Sequence, residues 1–449
     1  MKTLLFLAAV FVFLSSCEQV VFTDSQGILV RRKWTFIVYM AADNDLESAA
    51  IADLNEMEAV RFSAAPVSIL ALVDRHPGYD MTNGNWSDTR LFEIKTDPNG
   101  LNSTIVSTRL DCPELGLSNE VETELNTADP LVLTRLIDFA QRSYPAENYA
   151  LFVWGHGTGW RSGPSMEATQ APCKAVAFDD THGQYMPLPS FGRAIADKGL
   201  SLIGFDTCYA AVLELAYQIR NDAELFVGSE GEILSNGWDY TALFSDFLGK
   251  PNLTVNDLGD SIQEMFASQY ASLNNATISQ VRLPEIEDLF AKFDAFAGTL
   301  ALAITSEPAR GAVLDQMLHN VEGYHFTSFP SDLYIDIFDF SKKISGILSD
   351  ITPDSVSQTE ILTAANNLEG ALIRAVPSSW AKNGTTQKLG IHVIPLQGIA
   401  VPASSHELAY VRGSMAIDKS SFVENSQHWV PNAIPQNDSL LDKLFYWTY

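Results

Sequence analysis

Two residues with nucleophilic and acid-base chemistry each follow an apolar run. Tyr149-Ala150-Leu151-Phe152-Val153-Trp154 leads into Gly155-His156-Gly157, and Leu202-Ile203-Gly204-Phe205 leads into Asp206-Thr207-Cys208. A thiol beside an imidazole is equipment for acyl transfer: the thiolate attacks a carbonyl, and the imidazole holds it as an ion pair or protonates the departing amine. The tetrahedral intermediate then needs N–H donors for its oxyanion, and the amides of Gly157 and Cys208 are the candidates. A helix starting at Cys208 would add its N-terminal field and lower the thiol pKa. Taken singly, a cysteine beside Ala210 and Ala211 also fits a small core residue, and a histidine between glycines also fits a turn. Their occurrence at the carboxyl ends of two strand-like runs is what points to chemistry, because open α/β sheets collect their sites at that rim.

The elements that must position this pair read as follows. Trp34 to Met40 is a continuous apolar run of the kind buried on both faces of a sheet. Asp43-Asn44-Asp45 reads as a turn and helix cap, followed by Leu46, Ile51, Leu54 and Met57 at helical spacing and a second apolar run from Val67 to Val73. Residues 76 to 127 read as an insertion or hairpin region with a strand at Leu91 to Ile94. A helix is expected over Asp129 to Ser143, a polar loop over Gly163 to Lys174, and a strand over Ala175 to Phe178. Leu188 to Lys198 is expected as a helix, Ser201 to Phe205 as a strand, Ala210 to Arg220 as a helix and Leu225 to Gly228 as a strand. This alternation predicts an α/β fold with a mainly parallel sheet and helices on both faces. Beyond about Asn252 the pattern is mostly helical: Val255 to Ser272, Leu283 to Ile304 and Asp336 to Leu348. Strand-like runs at Ala276 to Val281 and Leu389 to Ile394 could join the same sheet.

The chain has 449 residues, 55 acidic against 28 basic, for a formal charge of −27. Nucleic-acid binding is excluded on that balance, since no basic stripe could neutralise phosphates; a cationic partner or substrate is easier to accommodate, and the same charge also fits a solvated acidic surface. Lys2, the apolar Leu4 to Leu14 and Ser15-Ser16-Cys17 have the parts of a secretory signal, and Leu14 to Cys17 resembles a bacterial lipobox. Residues 1–17 are therefore expected to direct export, with Cys17 as the lipidation site and 18–32 as a tether. Simple signal cleavage with a free Cys17 is the alternative. The expected location is the bacterial envelope, periplasmic or at the cell surface, with the lipid as the sole membrane attachment. Of the remaining cysteines, Cys112 and Cys173 are expected to pair, leaving Cys208 free.

Several ordered stretches resemble the clostripain family of cysteine peptidases: Trp34-Thr35-Phe36-Ile37-Val38-Tyr39-Met40-Ala41-Ala42-Asp43-Asn44-Asp45-Leu46-Glu47, Trp154-Gly155-His156-Gly157-Thr158-Gly159-Trp160, Gly204-Phe205-Asp206-Thr207-Cys208, and Ser229-Glu230 through Gly237-Trp238-Asp239-Tyr240. The likeness covers about residues 33–245, with a fainter match at Leu333 to Lys343. It implies a three-layer α/β/α sandwich of the caspase, gingipain and legumain type over 33–250, with 251–449 as a mostly helical region. It also implies a Cys208/His156 dyad acting as an endopeptidase on protein or peptide substrates, with preference for Arg or Lys on the acyl side. Asp206 falls where the family's acidic residue meets that side chain. The family's second acidic position is Asn236 here, and 231–235 also depart from its pattern. Self-cleavage after the histidine is a family habit, and Arg161 and Lys174 flank that loop, with Lys174 the candidate site. Some relatives need calcium, but Asp43-Asn44-Asp45 lacks the glycine at its sixth position, Ser48, so no metal or other cofactor is assigned. His182, near Asp179-Asp180, is the one further histidine with a plausible auxiliary role. A monomer is expected. The alternative function is a catalytically silent surface lipoprotein that keeps the fold as a binding module.

Overall fold

The structure is a computed structural model that describes residues 22–23, 29–30, 32–62, 65–162, 174–273, 276–305, 323–326, 329–382 and 389–393. Cys17, Cys173 and the loop at 163–173 lie outside them. After a short pairing of β1 (Phe22–Thr23) with β2 (Leu29–Val30), the chain builds one large sheet. Its centre is β3 (Trp34–Ala42), followed by β4 (Val67–Arg75), β5 (Thr89–Glu93), β6 (Thr108–Arg109) and β7 (Asn148–Trp154). A separate three-stranded sheet holds β8 (Gly157–Ser162), β9 (Lys174–Asp179) and β10 (Gln184–Pro187). The large sheet is completed by β11 (Leu202–Asp206), β12 (Leu225–Gly228), β13 (Thr277–Arg282) and the strand Ser378–Ala381. Its order runs Ser378–Ala381, β13, β12, β11, β7, β3, β4, β5, β6. The five strands from β12 to β4 are mutually parallel, and the outer pair on each side is antiparallel.

Continuous apolar runs follow from this arrangement, because both faces of the central strands are covered. Along β3, Ile37, Tyr39 and Ala41 face one core, while Phe36, Val38 and Met40 face the other. The first core is closed by α2 (Pro130–Ser143), α3 (Leu188–Ile195), α4 (Leu213–Gln218) and α7 (Ile286–Thr305), joined by the helices Ile337–Gly346 and Ser355–Ala375. The second is closed by α1 (Glu47–Glu58), α5 (Tyr240–Gly249) and α6 (Val255–Gln269). The fold is thus the expected three-layer α/β/α sandwich. The C-terminal helices complete one of its layers, and β13 and the strand Ser378–Ala381 extend its sheet; the run expected at Leu389 to Ile394 does not join it, since Gly390–Val393 pairs with Phe329–Asp336 in a separate three-stranded sheet. Among the described residues, no helix is long and apolar enough to cross a membrane.

Among the described residues Cys112 is a free thiol, buried in the first core beside its bridge to Leu117, and its expected partner, Cys173, lies outside them. One expectation is corrected. The helix expected from Ala210 begins only at Leu213. Tyr209 adopts φ 55°, and the amides of Tyr209 and Ala211 donate to Gly231 O (3.0 Å) and Ser229 O (2.8 Å). Residues 208–212 are therefore tied into strand-like pairing, where a helical turn cannot form.

Candidate active site

The parallel register between β7 and β11 ends with Trp154 opposite Asp206. His156 and Cys208 each lie two residues further on, so the register brings both to the same rim. The crossing is tight. A Cβ on Gly157 would fall 2.8 Å from Cys208 O and 2.7 Å from Thr207 Cβ, so only glycine lets this strand pass so close to the thiol-bearing turn. Gly155, at φ 131° and with Ala41 O 2.9 Å from its would-be Cβ, is required in the same way.

His156 is held from two sides. Its Nε2 lies 2.6 Å from Asp45 Oδ1, and the Phe178 ring meets it edge-on with centroids 6.1 Å apart. Phe178 belongs to β9, and the β9–β10 hairpin is clamped to the loop after β3. Asp180 N–H donates to Asp43 O, Asn44 Nδ2 donates to Phe178 O, and Asp43 accepts from both the amide and hydroxyl of Thr181. Asp43, Asp179 and His182 bring potential metal-binding atoms within 4.8 Å of one another, as do Asp43, Asp74 and Glu124. In the first group each carboxylate oxygen accepts a hydrogen bond, from Thr181, from Thr127 N–H or from His182 N–H, and these bonds brace the loops against one another. His182 Nδ1 sits 2.9 Å from Asp179 Oδ1, on this brace and not on Cys208.

Cys208 is half-covered. Ile233 N–H donates to its Sγ at 3.3 Å, and the segment 231–236 lies against it, fastened by Tyr209 OH to Glu232 Oε1 (2.9 Å) and by Leu234 N–H to Tyr270 OH (3.2 Å). Burial pushes the thiol up to about 11, opposed by the Ile233 bond and reinforced by the charges of Glu232 and Asp206. The lowering expected from a helix N-terminus is not obtained, since Cys208 sits in a turn ahead of α4.

Asp206 points into the second core and is 3% exposed. Its Oδ2 accepts from Trp238 N–H (3.0 Å) and Tyr240 OH (3.1 Å). Burial raises its carboxyl to about 7. Asn236 is exposed on the turn that Gly237 N–H closes onto Leu234 O (2.9 Å). Lys174 opens β9 opposite Ser162. In the sequence Asp45 has only the pattern of a turn residue, and Ile233 and Phe178 carry no local sign of a place at the site. Asp53 carried a signal, being an acid on a helix whose Ala50, Ile51, Leu54 and Met57 are all apolar and buried.

A mainly parallel sheet in a three-layer sandwich, with a histidine and a cysteine at one rim, defines a caspase-like architecture. The clostripain family matches residues 38–401, and the chain belongs to that family. It is 28% identical over 225 residues to clostripain of Hathewaya histolytica, an overlap of 47% of this chain and 42% of that protein, so it spans less than half the length of that relative. Two solved structures share the fold at 20% identity and a TM-score of 0.57. One is an inactive zymogen C11 protease from Parabacteroides distasonis, covering 82% of this chain and 94% of that one. The other is a secreted C11 cysteine protease from Bacteroides thetaiotaomicron in complex with an irreversible peptide inhibitor, covering 88% and 99%.

Proposed function

We propose that this chain is an exported cysteine endopeptidase in which Cys208 attacks the scissile carbonyl and His156 moves the proton to the leaving amine. The amides of Gly157 and Cys208 serve the oxyanion, and Asp206 meets an Arg or Lys side chain on the acyl side. The observation that carries this reading is the shared register of Trp154 and Asp206, with Gly157 packed on the Cys208 carbonyl. Two adjacent parallel strands thereby deliver imidazole and thiol to one edge at fixed separation. Substrate has to displace the segment 231–236, which lies over the thiol. Acylation then expels an amine, and water completes the hydrolysis by attack on the thioester.

Export through residues 1–17, lipid attachment at Cys17 and processing near Lys174 belong to the same proposal and rest on the sequence. Metabolic lipid labelling that persists in Cys17→Ala would remove the anchor. Identical fragments from wild type and Cys208→Ala on incubation would remove self-cleavage. The silent binding module draws on one observation, the covered thiol held near 11. An acyloxymethyl ketone peptide with arginine next to the warhead separates the two: the peptidase labels at Cys208 and loses labelling in His156→Ala, whereas a binding module does not label.

A further inference from the structure

A second buried carboxyl faces the same spot as Asp206. A Cβ built on Gly237 would lie 2.7 Å from Asp206 Oδ2, 3.0 Å from Asp53 Oδ2 and 3.1 Å from Trp154 Nε1, so both acids converge on one face of that glycine. Asp53 comes from α1 and is 1% exposed; its Oδ2 accepts from Trp154 Nε1 at 2.7 Å. The α1 helix is locked to this corner, since Glu56 accepts from Tyr240 N–H (2.9 Å) and from the Thr241 hydroxyl (2.8 Å). Among the described residues neither Asp53 nor Asp206 is in an ion pair. Asp206 Oδ1 and Trp238 Nε1, both deeply buried, have no hydrogen-bond partner. Burial pushes the carboxyl of Asp53 well up, and the neighbouring Asp206 charge adds to it.

We propose that Asp53 is the second carboxylate of the specificity pocket, so that a substrate guanidinium or ammonium is met by Asp206 and Asp53 together. This rests on the reading of Asp206 as the pocket acid. A guanidinium presents several N–H donors in a planar fork, and two converging carboxyls can accept from different edges of it. Its positive charge also removes the repulsion that keeps both acids from ionising together. The position just before Gly237 carries an exposed amide, Asn236, so the second charge arrives from the helix on the other side of the pocket.

The test is the ratio of kcat/KM for paired peptides carrying arginine or its neutral near-isostere citrulline at the acyl-side residue. It is measured on the full chain for wild type, Asp53→Asn and Trp154→Phe. Asp53→Asn is expected to lower the ratio by about 10- to 100-fold, as for loss of a charged hydrogen bond, with citrulline cleavage little changed. Trp154→Phe, which removes the donor to Asp53 but leaves its charge, is expected to keep the ratio within about threefold of wild type. A wild-type ratio near one overturns the basic pocket as a whole. A clear wild-type preference that survives Asp53→Asn, or that Trp154→Phe abolishes equally, overturns the role of Asp53 alone. If Asp53→Asn does not fold, a crystal structure of wild type alkylated at Cys208 by an arginyl chloromethyl ketone decides. A guanidinium within about 4 Å of the Asp53 carboxyl supports the proposal, and one paired with Asp206 alone ends it.

Discussion

His156 Nε2 lies 2.6 Å from Asp45 Oδ1, a contact between an imidazole with 41% of its side chain exposed and a carboxylate with 66% exposed. With a carboxylate accepting there, Nε2 carries the proton and Nδ1 is left as the basic nitrogen. Exposure sets the magnitude. Buried triad aspartates are worth about 10⁴-fold in rate, but a solvated pair contributes at most about 1 kcal/mol, roughly fivefold. Asp45→Asn is therefore expected to lower kcat about two- to fivefold, leave KM unchanged, and lose part of that difference in 0.5 M salt, where the screening length shortens to about 4 Å. A thousandfold loss would show that Asp45 is buried when substrate binds.

The segment over Cys208 makes thiol reactivity a readout of its position. With the thiol held near 11 by burial, about one molecule in 10⁴ carries the thiolate at pH 7. Alkylation of the resting protein by iodoacetamide is expected to be slow at neutral pH and to rise about tenfold per pH unit to near pH 11. Glu232→Gln removes a negative charge beside the sulfur and the carboxylate that accepts from Tyr209 OH, so it should speed alkylation several-fold at pH 7. A rate profile with its midpoint at or below pH 8.5 in wild type would mean that the segment does not cover the thiol in solution.

What could be read from the chain, and what could not, divides along a physical line. The strand Tyr149 to Trp154 and the helix after Asp129 were legible because one pattern, apolar continuity or helical period, fixed each of them locally. The rim position of His156 and Cys208 followed from strand ends alone. The helix from Ser355 to Ala375 was missed because its apolar residues are diluted by Ser, Thr, Gln and Asn, and it is held by packing against α7. The turn at Cys208 was misread as a helix start because its conformation depends on bonds to Ser229 and Gly231. No local pattern records a partner twenty residues away. Asp45 and Asp53 were passed over for the same reason: each meets its site partner across more than 100 positions.

Asp206 links the site to stability, and the sign can be worked out. Burial raises its folded-state carboxyl to about 7 from an ordinary value near 4. Between those values the native state keeps a proton that the unfolded chain has released, so stability falls as pH rises from about 4 to about 7 and is level above that. The penalty at pH 8 is on the order of 2–4 kcal/mol. Asp206→Asn should flatten this part of the profile: urea midpoints at pH 5 and pH 8 are expected to move closer together than in wild type. Parallel profiles for the two proteins would rule out a raised Asp206.

The loop that presents Asp45 is anchored by a neighbour. Glu47, at the first turn of α1, accepts from Arg75 Nε at 2.5 Å with both side chains fully buried, and its other oxygen accepts from the amides of Tyr79 and Asp80. The Arg75 guanidinium also lies 4.5 Å over the Trp86 ring. One carboxylate therefore ties the end of β4 and the start of the 76–127 insertion to the helix that follows Asp45. Removing one partner of a buried pair costs about 3–5 kcal/mol, and Arg75 would keep only its longer pair with Asp80 (3.5 Å) and its bonds to the Asp80 and Thr82 carbonyls, whereas replacing both partners by apolar groups of similar size costs far less. Glu47→Gln is expected to lower stability by that amount and to reduce activity through the displaced Asp45, while Glu47→Met with Arg75→Met should recover most of the stability but not the insertion's anchorage to Tyr79 and Asp80. Urea melts of the single and double variants, with limited proteolysis across residues 76–127, would test this; equal losses in both variants would mean that the hydrogen bonds to Tyr79 and Asp80, and not the Arg75 charge, set the cost.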